Sequence, residues 1–395
     1  MTGDLTNGLY RVSGPSPYIA YDKNPAWSLH AMIRSVARAL AAPVLLGTLL
    51  LASAAPAEPV KPLTREGDVT VKDFTFRSGE SLADVRLHYT TLGTPHRDAK
   101  GHVDNAILIL HGTGGTGAQF LRPQFSDVLF QPGGVLDPAR YFIILPDDIG
   151  HGKSSKPSDG LRARFPKYDY DDMVALEHEL VTKGLGVDHL RLVMGTSMGC
   201  MHAFVWGETY RGAMDALMPL ACLPQTIAGR NRLWRQMSIA AIKADPAWQG
   251  GEYKTQPKEG LRTAAALLAI AGSAPIQMQK TYPTREAADA AAEKILTVDT
   301  MEANDLIYQL DASRTYDPSP KLETITAPVL WINSGDDFIN PPELGLAEPL
   351  AKRIPHGQFV LIPASDQTHG HGSHTWAVLW QDKLADLLAR TAPRP

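Results

Sequence analysis

A dominant charge is what this chain lacks most plainly. Its 38 Lys and Arg stand against 42 Asp and Glu, a formal net charge of −4 with no block of like charges. A nucleic-acid partner would require a basic stripe or patch, so none is expected. Cysteine is nearly absent, with only Cys200 and Cys222. No His, Cys, Asp or Glu group has metal-ligand spacing, so no metal and no cofactor is expected. There are no internal repeats. The one biased tract, the Ala-rich stretch Ala287 to Ala292, reads as an ordinary helix. Long apolar runs are missing too: residues 39–51 are apolar but too short to cross a bilayer. A 44% hydrophobic content over 395 residues is nevertheless ample for a core.

The short apolar run has a specific setting. Arg34 to Arg38 is basic, residues 39–51 are apolar, and Ala52-Ser53-Ala54 and Ala55-Pro56-Ala57 fit a small-x-small cleavage pattern. That is the layout of a secretory signal. It lies behind about thirty irregular residues, which suggests Met32 as the true start and a mature protein beginning near Ala55 or Glu58. The expected location is periplasmic or secreted, with no membrane contact in the mature form. An anchoring helix kept in place is the competing reading.

The rest alternates. Val69 to Phe76 and Val85 to Thr91 read as an antiparallel opening pair. Asn105 to Leu110, Tyr141 to Leu145, Leu190 to Met194, Ala216 to Ala221, Ala327 to Asn333 and Gln358 to Ile362 are short apolar strands, separated by helical or looped stretches. Tyr170 to Lys183 carries Met173, Leu176 and Leu180 at helical spacing and stops before Gly184. This order predicts an α/β fold with a mostly parallel central sheet flanked by helices. Residues 224–318 break the alternation with helices alone. The expected organisation is therefore an N-terminal extension and signal over 1–57, core over 58–223, a helical lid over 224–318 inserted between strands 6 and 7, and core again over 319–395.

The chemistry centres on Gly195-Thr196-Ser197-Met198-Gly199, which follows the run Leu190 to Met194 and precedes a helix-like segment. Gly-x-Ser-x-Gly between a strand and a helix is a nucleophile elbow, with a serine presented on a turn too tight for side chains at its flanks. A serine hydroxyl needs a base, and the base an orienting acid. In this arrangement the acid and then the histidine follow the serine along the chain. Two acids compete in the loop after Asn333, Asp336 and Asp337. Among His369, His371 and His374, His371 has glycines on both sides, which let its loop approach the serine. His369 and His374 read as solvated or as a helix cap. The oxyanion donors are then the N–H groups of Met198 and of Thr113, in the His111-Gly112-Thr113-Gly114-Gly115 loop after the third strand. That loop lacks the Lys-Ser/Thr of a phosphate cradle. Asp147-Asp148-Ile-Gly150-His151-Gly152 reads as loop structure supporting the elbow. Cys200, one turn past the serine, and Cys222, ending the next strand, are placed to pair or to remain two buried thiols.

With these motifs in view, the chain resembles the homoserine O-acetyltransferase-like branch of the α/β-hydrolase fold from about Asp73 to its C-terminus. The resemblance rests on Gly195 to Gly199, Trp234-Arg235-Gln-Met, Asp245-Pro-Ala-Trp248, Gly250-Gly-Glu-Tyr253, Pro257 to Leu261, Glu302 to Asp305, Asp337-Phe-Ile-Asn-Pro341 and Gly370-His371. It implies Ser197, Asp337 and His371 as a triad, a helical lid over the acyl site, and Arg235 as a contact for an anionic substrate group, with a lid salt bridge as the alternative. It also leaves a homodimer open. Three positions depart from the transferase pattern. Gly372 stands where the transferases place an aspartate after the base, Leu306 where they place a tyrosine, and Cys200 where they place a glycine. Acyl-coenzyme A and homoserine are cytosolic, whereas this chain carries an export signal. The expectation is an exported serine hydrolase acting on a small carboxylic ester or related acyl bond. An O-acyltransferase is the second reading and a non-catalytic binding protein the third. Trp234, Met237, Trp248 and Tyr253 either line an apolar pocket or pack the lid.

Overall fold

Five consecutive strands of this chain are apolar along nearly their whole length, with polar residues only at the carboxyl ends of two, a composition that only burial on both faces tolerates. The computed structural model, which describes residues 59–391, buries them in this way. They are β3 (Ala106–Leu110), β4 (Phe142–Pro146), β5 (Leu192–Thr196), β6 (Leu217–Leu220) and β7 (Val329–Ser334). β1 (Thr64–Thr75) and β2 (Ser81–Leu92) form the opening hairpin and β8 (Gly357–Ile362) the last strand. The sheet order is β1-β2-β4-β3-β5-β6-β7-β8, parallel from β4 to β8 and antiparallel at β1·β2 and β2·β4. The signal-like segment lies outside the described residues.

Because side chains alternate across a strand, each face of the sheet builds its own core. Leu108, Ile144, Val193 and Leu217 point to the layer that holds α2 (Tyr170–Glu179) and α3 (Met198–Thr209). Ile107, Ile109, Ile143, Leu192, Met194 and Met218 point to the opposite layer. That layer holds α1 (Pro123–Leu129) and the C-terminal helix Gln381–Arg390. Asp169 caps α2 by accepting from Asp172 N, as the acidic residue before its first turn predicts.

Between β6 and β7 the chain leaves the sheet for five helices. They are α4 (Gly229–Ala244), α5 (Lys258–Ala271), α6 (Pro275–Thr281), α7 (Arg285–Ile295) and α8 (Ala303–Asp311). This insertion has its own core, with Trp234, Ile242, Tyr253, Leu261 and Leu310 buried together. Gly260 permits the close α4–α5 crossing, since a Cβ there would lie 2.5 Å from Ile242 Cα. Several polar links fasten the insertion to the segment after β4, among them those of Asp305 and Gln309. Asp305 accepts from Ser158 N (2.9 Å) and Ser158 Oγ (2.7 Å), and Gln309 Nε2 donates to Gly150 O (2.8 Å). α9 (Ala347–Ala351) precedes β8, and the segment after His371 forms short 3-10 turns before α10 (Gln381–Arg390).

Candidate active site

Ser197 sits between β5 and α3 with φ 56° and ψ −107°, a conformation that side chains rarely adopt. Such backbone strain costs on the order of 1–3 kcal/mol and persists only where the surroundings impose it. Here they do. A Cβ on Gly195 would lie 1.9 Å from Gly199 O, and one on Gly199 would lie 2.1 Å from Leu110 O. The Ser197 N–H is held by Leu220 O at 2.8 Å. The motif glycines are therefore close-approach glycines, and the turn turns Oγ out beyond the carboxyl edge of the sheet.

Two other strand ends supply the partners. Oγ of Ser197 lies 2.8 Å from His371 Nε2, and His371 Nδ1 lies 2.9 Å from Asp337 Oδ2. Asp337 is buried, and Ile339 N and Asn340 N donate to its Oδ1 at 2.8 and 3.1 Å. Burial opposes its ionisation, yet the facing His371 and the Asn340 donors hold its carboxyl below the usual range. A carboxylate on Nδ1 leaves Nε2 free to accept a proton from Ser197. Asp336 does different work. Its Oδ2 accepts from Thr368 Oγ1 (2.8 Å) and Gly370 N (2.9 Å), so it anchors the loop that carries the histidine.

The loop after β3 folds against the serine. A Cβ on Gly112 would lie 3.3 Å from Ser197 Cβ, and Gly115 N donates to Gly112 O at 2.9 Å. Thr113 follows Gly112 in this turn. Met198 occupies the first position of α3, where a helical N–H has no intrahelical acceptor. A cavity of about 630 Å³ opens beside the acid, lined by Met201, Leu223, Ile227, Phe338, Ile339 and Asn340.

Several expectations meet corrections. His369 is half-buried at the N-cap position of the turn Gly370–Thr375, without a side-chain capping bond, and stacks on Trp376 at 3.8 Å, whereas His374 is no cap and packs edge-on to His371 at 5.1 Å. Burial, then the neighbouring His371, pushes His374 down to about 3. Arg235 is buried at 2% exposure, donating to Asn231 Oδ1 (3.0 Å) and Ser313 Oγ (3.4 Å) over the Trp234 ring. No acid pairs with it among the described residues, so the lid salt bridge is not formed. Trp234, Trp248 and Tyr253 pack the insertion, and Met237 is exposed. Cys200 and Cys222 form a disulfide, with Cα atoms 5.8 Å apart.

One group escaped sequence reasoning. Asp147 behaves as loop structure, accepting from Gly117 N and Lys153 N at 2.9 Å each. Asp148 instead turns inward beside Glu177 and His202. The only sequence signal is His202 on the largely apolar α3; Glu177 lies among the other charged residues of α2.

A family model for the alpha/beta hydrolase fold matches residues 105–367. A probable acyltransferase of Methanothermobacter thermautotrophicus is 31% identical over 309 residues, 76% of this chain and 90% of that protein. A homoserine O-acetyltransferase of Pelobacter propionicus is 30% identical, over 71% of this chain and 84% of that protein. The crystal structure of an acetylester hydrolase from Corynebacterium glutamicum superposes with a TM-score of 0.71 at 22% identity. It covers 82% of this chain and 96% of that one, a likeness of fold alone. Matched over most of its length by model and relatives alike, the chain belongs to the α/β-hydrolase fold family, in its homoserine O-acetyltransferase-like branch.

Proposed function

We propose that this protein cleaves a carboxylic ester, or a related acyl bond, through an acyl-serine intermediate. The observation that carries the reading is the unbroken hydrogen-bond chain Ser197–His371–Asp337 at 2.8 and 2.9 Å on a strained elbow. Ser197 Oγ attacks the carbonyl carbon while His371 Nε2 takes its proton. Asp337 holds the imidazole tautomer and stabilises the imidazolium. The N–H groups of Thr113 and Met198 receive the oxyanion. His371 returns the proton to the leaving alcohol, then draws one from water as its oxygen attacks the acyl carbon; the bond to Ser197 Oγ breaks, His371 gives that proton back to Oγ, and the acid leaves. The apolar part of the substrate occupies the cavity lined by Met201, Leu223 and Phe338.

We place the mature protein in the periplasm or outside the cell. The signal-like residues 34–57 and the Cys200–Cys222 bond support this, since disulfides persist in oxidising compartments. Water is then the acceptor. A second reading, O-acyl transfer from acyl-coenzyme A to homoserine or another small alcohol, is favoured by the curated relatives' names. Under it, Arg235, a buried cation with only neutral partners, would receive the acceptor's carboxylate. Gly372, without a side chain beside the base, favours hydrolysis.

The test is release of p-nitrophenol from short esters by residues 58–395, with and without homoserine. Hydrolysis that ignores homoserine and disappears in Ser197→Ala supports the esterase. Homoserine-dependent turnover with an O-acyl product establishes the transferase instead. Near-normal turnover in Ser197→Ala overturns both.

A further inference from the structure

This inference rests on the acyl-serine reading above and concerns what holds its oxyanion loop. His111, fully buried, follows β3 and opens that loop. Its Nδ1 lies 2.9 Å from Gly112 O, and its Nε2 accepts from Asp148 N at 3.1 Å. These two contacts assign the neutral Nδ1–H tautomer. Its carbonyl accepts from Gly199 N at 2.9 Å. One residue thus joins the oxyanion loop, the loop after β4 and the first turn of α3.

Behind His111 lies a layer of buried titratable groups that the triad does not use. Glu177 accepts from His202 Nδ1 and from Trp206 Nε1, each at 2.6 Å, so both of its oxygens already face donors, although burial pushes its carboxyl up to about 8. Asp148, only 2% exposed, has no hydrogen-bond partner on either side-chain oxygen among the described residues. Its Oδ2 lies 3.5 Å from His111 Nε2 and 3.7 Å from His202 Nδ1. The first of these nitrogens is an acceptor, and the second already donates to Glu177. The other titratable groups facing this layer are His151 against His111, Tyr170 against His202, and Tyr168 and Asp171 from the start of α2. None is a lysine or arginine. A second buried carboxylate here would have neither donor nor countercharge, an arrangement that burial disfavours strongly.

A cation could supply the missing charge, since ligand atoms of Asp148, Glu177 and His202 lie within 4.8 Å of one another. The spacing argues against it. Glu177 Oε1 and His202 Nδ1 are 2.6 Å apart, closer than the roughly 3 Å that two ligands at about 2.1 Å from one ion keep between them. A proton fits where an ion does not.

We propose that Asp148 is a positioning residue that works in its protonated form, sharing its proton with Glu177 and so preserving the bond from Asp148 N to His111 Nε2 that holds the oxyanion loop. Were Asp148 ionised, its Oδ2, 3.5 Å from His111 Nε2, would face that nitrogen's lone pair with no proton between them, and the bond from Asp148 N that holds the loop carrying Thr113 would weaken. Burial, then repulsion from Glu177, pushes Asp148 up to about 7, and burial pushes Glu177 up to about 8, so the pair holds a proton in acid and loses it as pH rises; the donors already on both Glu177 oxygens leave that proton to Asp148.

The experiment is ester hydrolysis by the full chain and its variants between about pH 6 and about pH 9, with metal content measured on the same preparations. In the wild type, kcat should fall about tenfold on the alkaline side with KM little changed, because oxyanion donors act in the transition state. Asp148→Asn donates from its amide where the acid donates its proton. It should stay within about threefold of wild type near neutrality and lose the alkaline fall. Asp148→Ala should lose about 100-fold in kcat. Asp148→Asn carries the test if the alanine variant does not fold. An Asn variant about 100-fold slower near neutrality, an alkaline fall that persists in it, or no alkaline fall in wild type overturns the proposal. So does one metal ion per chain in wild type that Asp148→Asn lacks. Turnover surviving in Ser197→Ala, or a serine that a fluorophosphonate does not label, overturns the underlying reading instead.

Discussion

Removing the disulfide tests how firmly the elbow is held. Cys200 lies in the first turn of α3 and Cys222 just after β6, where the chain departs for the helical insertion. Both are fully buried, and the bond closes a loop of sequence separation 22. In the chain-entropy model, a loop of that length restrains the unfolded state by about 3 kcal/mol. Unfolding about 330 residues carries an entropy near 0.7 kcal/mol/K, so the double variant Cys200→Ala/Cys222→Ala should melt about 5 °C lower. The junction itself should survive, because Cys222 O still accepts from Trp331 Nε1 (3.0 Å) and Asn333 Nδ2 (3.1 Å). Ester turnover at 25 °C should therefore fall less than the stability does. Thermal unfolding followed by circular dichroism, beside a thiol titration of the denatured wild type, provides the readout. A melting temperature within about 1 °C of wild type would refute the entropic reasoning. Two free thiols in protein taken from its own host would refute the bond.

Two further outcomes follow from the site. Asp337→Asn should lower kcat about 10⁴-fold by presenting the wrong partner to His371 Nδ1. Asp336→Asn, which weakens the hold on Thr368 and Gly370, should cost about 10- to 100-fold and lower the melting temperature; equal losses in the two variants would contradict the division of labour. Stability should also fall as pH rises. Burial, then charge repulsion from Glu177, raises Asp148 in the folded state to about 7, against an unfolded value near 3.9. The folded chain therefore keeps a proton that the unfolded chain releases. That contribution is complete below about pH 4 and is lost through about pH 7, at up to 1.4 kcal/mol per pH unit. Denaturant unfolding at three pH values should show a shallower decline in Asp148→Asn; parallel slopes would contradict it.

Local chemistry made much of this protein legible. Continuous apolar runs announced the doubly buried strands, and all eight appear within two or three residues of their expected ends, except that the opening hairpin extends further. Gly195 and Gly199 announced the elbow because only a missing side chain allows backbone within about 2 Å of the Cβ position. Chain order and flanking glycines singled out His371, and the structure places it between Ser197 and Asp337. Other features depend on partners distant in sequence, and only the tertiary structure decided them. Asp336 and Asp337 are neighbours of one type, distinguished by which loop each carboxylate faces. A lid salt bridge is one reading of Arg235 and a solvated or capping place the reading of His374, and packing gives Arg235 neutral partners and His374 the ring of His371 instead. The disulfide needed α3 and the end of β6 to meet. Asp148, Glu177 and His202 come from three separate segments. Each resembles an ordinary loop or helix residue until the fold removes water from all three together, and it is that shared burial that turns an acid into a held proton.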